Sequence, residues 1–444
     1  MIEVRSQKPE VRSQNGWFSR RKRVIPTFWL LASGFWLPLQ NPSLDSASPK
    51  ERQAAVEQMA VLGNREAIPR LAALLKQEPR SDVRATIVAG LGRIRDREAI
   101  PAVSDTLRTD LDKDVRSQAI DSLLRLYIPV EDSGPLRTMF NRVKSVFTLP
   151  NPPVVGPEVQ VDPTAKEALA TAMQKDFNED VRVQAAAALG SLKAKDQVPT
   201  LTAALEDPQN REHPNVRIQI IKTLGLIRDP AAGPALEKAF RDSNRRVVEE
   251  AVLAVGLVGH KPARPVLEEL FRTDRNRVVK NRSLEALALL RDEGSVPLFE
   301  SLLNTTDDYH RELAAEGLAR MDYDARAWTD RFTQEKKQNV RNALAFGLAS
   351  SGDLAYINDL ANALDTRQDY QVEVYLFELG KYEAKMDELY RYLRSSNPKV
   401  RAGMARVIGN IGDPSASEQI RPLTDDPNVD VVREAVAALR KLSR

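Results

Sequence analysis

Residues 216–225 read VRIQIIKTLG, and thirteen positions after Val216 stands Asp229, followed by Pro234 at eighteen. The same ten-residue pattern, V-R-x-x-A-x-x-x-L-G in outline, begins again at Val83, Val181 and Val400. Weaker copies start at Val115, Val247, Val279, His310, Val340, Gln371 and Val431, and a first copy ends at Leu62-Gly63. Self-similarity at a period near 31 residues marks an array of one supersecondary unit.

The physics of that unit follows from the spacing. Apolar side chains four, five and eight residues after the start fall on one helical stripe. The Asp or Asn just before the Val (Asp82, Asp114, Asp180, Asn215, Asn339, Asp430) is expected to accept bonds from free N–H groups at the helix start. Gly at the end of the motif permits close approach and termination. Asp96, Asp229, Asp292, Asp353 and Asp413 can then cap a second helix. Pro101, Pro199, Pro234, Pro265 and Pro297 suit its first turn, where N–H groups lack partners anyway. Neither short amphipathic helix can bury both faces alone, so neighbouring units must stack. Arg recurs directly after the start as Arg84, Arg116, Arg182, Arg217, Arg311, Arg341 and Arg401. Seven copies are not a catalytic group; they predict a row bonding carbonyls or acids between adjacent units.

These motifs resemble the HEAT-repeat superfamily, in particular the short repeats named for phycobilisome-lyase-like HEAT proteins. The resemblance covers residues 49–444 apart from one insertion. It implies an all-α fold, a right-handed α-solenoid of about twelve stacked helical hairpins, roughly 100 Å along its path at 8–10 Å per layer. That architecture hosts scaffolds, adaptors, lyases and hydroxylases, so it specifies no activity.

Composition narrows the classes. Of 444 residues 42% are hydrophobic and 29% charged, too apolar for a disordered chain and too charged for a polytopic membrane protein. No Cys is present, which excludes disulfides, thiolate nucleophiles and Cys-ligated metals. Residues 1–23 hold seven basic side chains against Glu3 and Glu10, a charge of +5, so the remainder of a chain with formal charge +3 sums to −2. Such a body lacks the field that concentrates nucleic acid, and none is expected as a partner.

After Arg20-Arg21-Lys22-Arg23 comes an apolar run, 24–39, with Phe28, Trp29, Phe35 and Trp36. Residues 1–48 therefore read as a basic leader with a signal-like or membrane-anchor segment. The expected location is periplasmic or anchored at the inner membrane of a bacterium, with a cytoplasmic chain as the alternative.

Three stretches depart from the repeat. Residues 129–163 contain seven Pro and lie inside one hairpin. Within them Leu136, Met139, Phe140, Val143 and Phe147 share a helical stripe beside Arg137, Arg142 and Lys144. Such a basic amphipathic stretch can dock in a partner's groove, touch a membrane, or fold back over the solenoid. Tyr370 to Tyr392 holds five of the nine Tyr, of which Tyr375, Tyr390 and Tyr392 are candidate partner contacts. The alternative is that these bulky rings fill space left by small residues. Asp207 to Asn215 reads as a longer turn between units.

The sequence holds no phosphate loop, dinucleotide fingerprint or nucleophile elbow. His213, His260 and His310 have no metalloprotease spacing, and none precedes a Glu as the repeated His-Glu pairs of HEAT-like di-iron hydroxylases require. No catalytic, cofactor or metal residue is expected. The expected function is a non-catalytic protein-binding scaffold or adaptor of the cell envelope. The alternative is a lyase-like enzyme or subunit acting on a tetrapyrrole or its acceptor protein.

Overall fold

A computed structural model describes residues 43–128, 154–156, 159–366 and 369–443. The proposed leader segment 24–39 and the stripe Leu136, Met139, Phe140, Val143 and Phe147 lie outside the described residues. Among the described residues there are twenty-three α-helices and no strand, paired into eleven hairpins with one helix left over.

The first helices of the hairpins are α1 (Pro49–Val61), α3 (Ser81–Ile94), α5 (Lys113–Tyr127), α7 (Glu179–Ser191), α9 (Pro214–Ile227) and α11 (Arg245–Val258). They continue with α13 (Arg277–Leu290), α15 (Asp308–Arg320), α17 (Gln338–Ser350), α19 (Asp369–Leu379), α21 (Pro398–Ile411) and the unpaired α23 (Val429–Leu442). The second helices are shorter, from α2 (Ile68–Gln77) and α4 (Ile100–Thr109) to α6 (Pro163–Lys175), α14 (Val296–Leu302) and α20 (Glu383–Arg391). Each first helix lies on the first helix of the next hairpin, and the second helices form the other layer. One continuous core runs between the layers through Val83, Ile87, Leu91, Val216, Leu224, Val400 and Ile408. These are the apolar positions of the repeat motif.

The motif Gly serves close approach. A Cβ on Gly256 would lie 2.6 Å from the Cα of Ala286 on the next first helix, and one on Gly409 would lie 2.5 Å from the Cβ of Ala438. Termination falls to later residues, such as Gly259 at φ 73° and Gly412 at φ 81°.

The expected capping needs one correction. The N-cap side chains stand three residues before the motif start: Asp112 accepts from the Asp114 and Val115 amides, Asn178 from Val181, Asn244 from Arg246 and Asn428 from Asp430 and Val431. Asp114, Asp180 and Asp430 already sit in the first turn, where their charge complements the helix dipole. The second-helix acids behave as expected, except that they cap a short 3₁₀ turn leading into the helix: Asp96, Asp229, Asp292 and Asp413 accept the amide two residues on.

The Arg row is a ladder between hairpins. Arg84 forks onto Asp110 at 2.7 and 2.9 Å, Arg116 onto Asp176 at 2.6 and 2.8 Å, Arg217 onto Asp242 at 2.8 and 2.9 Å and Arg401 onto Asp426 at 2.8 and 2.9 Å. The free Nη1 of each also donates to two carbonyls of its own loop, such as Asn210 and Arg211 for Arg217. Arg52 makes the same fork onto Glu78 and Arg311 onto Glu335. Arg182 meets Asn210 in the longer turn, and Arg341 departs, lying 4.5 Å over the Phe332 ring. The same acids accept a loop amide, Asp110 from Asp112 and Asp242 from Asn244, so each rung fixes a loop and a neighbour together. Replacing the buried Arg217 with Ala strands Asp242 and two carbonyls, an expected loss of about 3 kcal/mol in urea unfolding, the lower end for breaking a buried pair.

The solenoid begins earlier than residue 49. Leu44 is buried in the core, and Ser46 and Ala47 give their carbonyls to Arg52. At the far end of the insertion, Val155 is buried and its amide donates to the Ser191 carbonyl at 2.9 Å. The Asp162 amide donates to the Tyr127 hydroxyl at 3.1 Å. The described end of the insertion thus folds back onto the solenoid.

Candidate functional site: the inner face of the first helices

Two first helices separated by a third stand roughly 16–20 Å apart in a straight stack, at 8–10 Å per step. Only long side chains near full extension bridge that gap. Arg320 of α15 donates to Glu378 of α19 at 2.8 and 3.0 Å across α17, and Glu312 accepts from Gln371 of α19. Arg291, just past α13, reaches the same Glu378 at 3.3 Å, 87 residues away. These contacts draw the first helices together, and a layer drawn together lies on the inside of a bend.

Near the N-terminus this inner face is open. A shallow pocket between α1, α3 and α5 is lined by Val56, Ala85, Thr86 and Ala89, with Glu57, Arg93 and Gln118 around them. From α13 to α19 the inner face is closed by a buried polar cluster. Arg320 is paired with Glu316 at 2.5 Å as well as with Glu378, and the side chains of Arg320 and Glu316 are 3% and 2% exposed. Glu312 also accepts from Asn339, and Tyr309 donates to Glu285, which Arg282 contacts at 3.1 Å.

One guanidinium here serves two carboxylates. Glu316 is the more deeply buried of the two. Burial pushes its carboxyl up to about 7; Arg320 opposes the shift, while Glu312 and Glu378 reinforce it. Glu316 then holds its proton in the fold after the unfolded chain has lost its own near 4.5. Its contribution is full below that value and is lost as pH rises through the folded pKa. The thermal midpoint is expected to be higher at about pH 5.5 than at about pH 8, and Glu316→Gln should flatten that difference. An unchanged slope in the variant would assign the titration elsewhere.

The Tyr-rich segment is corrected by its surroundings. Tyr375 is fully buried: its ring stacks on Phe346 with centroids 4.6 Å apart, and its hydroxyl accepts from Gln371 at 2.7 Å. It fills space and offers no surface. Tyr390 and Tyr392 are half-buried against the same core. The tyrosines that stand exposed are Tyr382 at 57% and Tyr370 at 38%. Trp328 is also core, against Gly347 and stacked on Tyr323. Each His joins neighbouring units: His213 to Glu179, His260 to Glu237 and His310 to Asn281. Among the described residues no group of three His, Cys, Asp or Glu is placed to hold a metal ion.

Sequence reasoning missed two sets of residues. The ladder acids stand five positions before each motif start (Asp110, Asp176, Asp242, Asp426), a spacing that was there to be found. The α15–α19 cluster has no such signal.

The HEAT-repeat profile matches residues 42–124, 209–288 and 376–443, more than half of the chain. The chain belongs to the HEAT-repeat family. A PBS lyase HEAT-like repeat matches residues 181–207 of this HEAT-repeat protein. Among solved structures it is similar to yeast importin-β, at 13% identity over 90% of this chain and 60% of that one, with a TM-score of 0.51, a likeness of fold between helical solenoids. The complex of CpcE and CpcF of phycocyanin lyase from Nostoc sp. PCC7120 is 18% identical over 65% of this chain and 96% of that one, TM-score 0.38. Human deoxyhypusine hydroxylase in complex with glycerol is 17% identical over 78% and 96%, TM-score 0.27. No curated protein matches the sequence.

Proposed function

We propose that this HEAT-repeat protein is a non-catalytic scaffold that holds another protein on the inner face of its first helices. The observation that carries this is the contrast along that face. Between α1 and α5 it forms an open groove with small apolar walls and the polar rim of Glu57, Arg93 and Gln118, while the recurring Arg and Asp side chains are spent on joining hairpins. A preformed concave surface of this kind binds with little ordering cost. We place the scaffold at the cell envelope of a bacterium, exported or tethered through 24–39, on the strength of the basic flank and apolar run alone.

A photo-cross-linking residue at position 118, introduced in the native organism, should yield a discrete protein adduct, and one on the outer layer at position 73 should not. The match of residues 181–207 to a lyase-type repeat favours a second reading, an enzyme subunit acting on a tetrapyrrole or its acceptor. Adducts from neither position, together with a visible absorption band in the purified protein, would move the assignment there.

A further inference from the structure

The charge of the solenoid is unevenly placed in space. Residues 241–246 and 272–280 carry seven cations (Arg241, Arg245, Arg246, Arg272, Arg275, Arg277 and Lys280) against two acids, Asp242 and Asp274, in a body that is otherwise acidic. These are the loops that lead into α11 and α13 together with the helix ends that flank them. They adjoin each other: Arg245 pairs with Asp274, and Asn276 donates to Glu249 at 2.9 Å. Both acids are committed, Asp242 to Arg217 and the Asn244 amide, Asp274 to Arg245 and the Asn276 amide. Arg241, Arg246 and Arg275 are exposed, and among the described residues their guanidinium groups have no ion-pair partner. The positive ends of α11 and α13 point to the same ridge.

We propose that this ridge docks an acidic, Asp/Glu-rich segment of a partner protein, a partner chemistry that rests on the scaffold role above. Arginine forks match carboxylates two bonds at a time. The positive stretch is short, because the next loop carries Asp307 and Asp308. Two layers at 8–10 Å give roughly 20 Å, which an extended segment of about six residues spans at 3.3 Å each. A nucleic acid gains affinity from many phosphates and from stacking. Here the run of cations is brief, and the nearby rings of Phe240 and Phe271 are half-buried against the core. A membrane surface would find one exposed apolar side chain on the ridge, Val278.

The test uses the full chain and three probes: a fluorescein-labelled peptide of alternating Glu and Gly, an oligothymidylate of equal charge, and vesicles of phosphatidylserine and phosphatidylcholine. The peptide should bind, more weakly as salt rises. The triple change Arg241→Glu, Arg246→Glu, Arg275→Glu should weaken it about tenfold or more, as expected where several charge-assisted contacts reverse sign. The control Lys76→Glu, Arg394→Glu, Arg421→Glu changes net charge equally at exposed sites elsewhere and should bind as wild type. No peptide binding, equal loss in both triples, or tighter binding to oligothymidylate or vesicles would overturn the ridge. Failure of the ridge with the adduct at position 118 retained leaves the scaffold standing; loss of that adduct with peptide binding intact removes the inner face and leaves the ridge.

Discussion

Arg320→Ala is expected to cost about 3–5 kcal/mol, because it removes the buried cation that Glu316 and Glu378 share. Arg320 contacts Glu316 and Glu378 together, lies 5.8 Å from the Phe346 ring and is closed off from water. Its loss leaves Glu378 with the more exposed Arg291 and forces Glu316 to remain protonated or unfold the region. The deficit should be local. In a repeat array most of a hairpin's contacts are with its neighbours, and the Arg320 contacts stay within α13 to α19, so destabilised units can open ahead of the rest. Urea unfolding followed by hydrogen exchange should show α15 to α19 opening first in the variant, with α1 to α9 unchanged. The comparison that isolates the cause is Glu316→Leu, Arg320→Met, Glu378→Leu. Replacing a buried ionic group by apolar residues of similar volume is often neutral, so the triple variant should regain most of the loss. A single variant within about 1 kcal/mol of wild type, the scale of a surface pair, would show that the three side chains do not close the inner face.

The reason this cluster could not be read from the sequence bears on what a repeat encodes. The motif beginning at Val216 specifies a helix, a turn, a second helix and the next neighbour. Val216, Ile221 and Leu224 gave the buried stripe, Asp229 the start of the second helix, and Arg217 the inter-hairpin bond. All of these are contacts within one period or between adjacent periods. Arg320 to Glu378 spans 58 residues and Arg291 to Glu378 spans 87. Such contacts depend on how sharply the stack bends, and curvature accumulates from small rotations that no single repeat displays. The ladder acids were missed for a simpler reason. The polar residue next to each Val looked like the cap, whereas the capping side chain must precede the first turn. That places Asp112, Asn178 and Asn244 three positions back and leaves the acids two further back to meet the Arg. The ridge of Arg241, Arg246 and Arg275 is scattered among paired charges in the sequence, and only the fold shows which cations are already used.

Tyr375→Ala is expected to lower stability by about 3–5 kcal/mol, the range for deleting a buried aromatic ring. The equivalent position holds Ala in several repeats, as Ala251 does in α11, and in α19 it holds the Tyr375 ring, stacked on Phe346. Tyr375→Phe keeps the ring and loses one bond from Gln371, so it should cost only about 1 kcal/mol. Tyr382→Ala, more than half exposed, should stay within about 0.5 kcal/mol. The three variants separate a packed ring from a recognition ring. A partner contact at position 375 would give Ala and Phe variants that melt like wild type and differ in capture. A core ring gives the graded loss in thermal and urea unfolding, with capture at the α1–α5 groove unchanged in whatever fraction remains folded. Should Tyr375→Ala unfold at the wild-type midpoint, the stack of Tyr375 on Phe346 is not what fills the bend, and α19 must find its seat by other contacts.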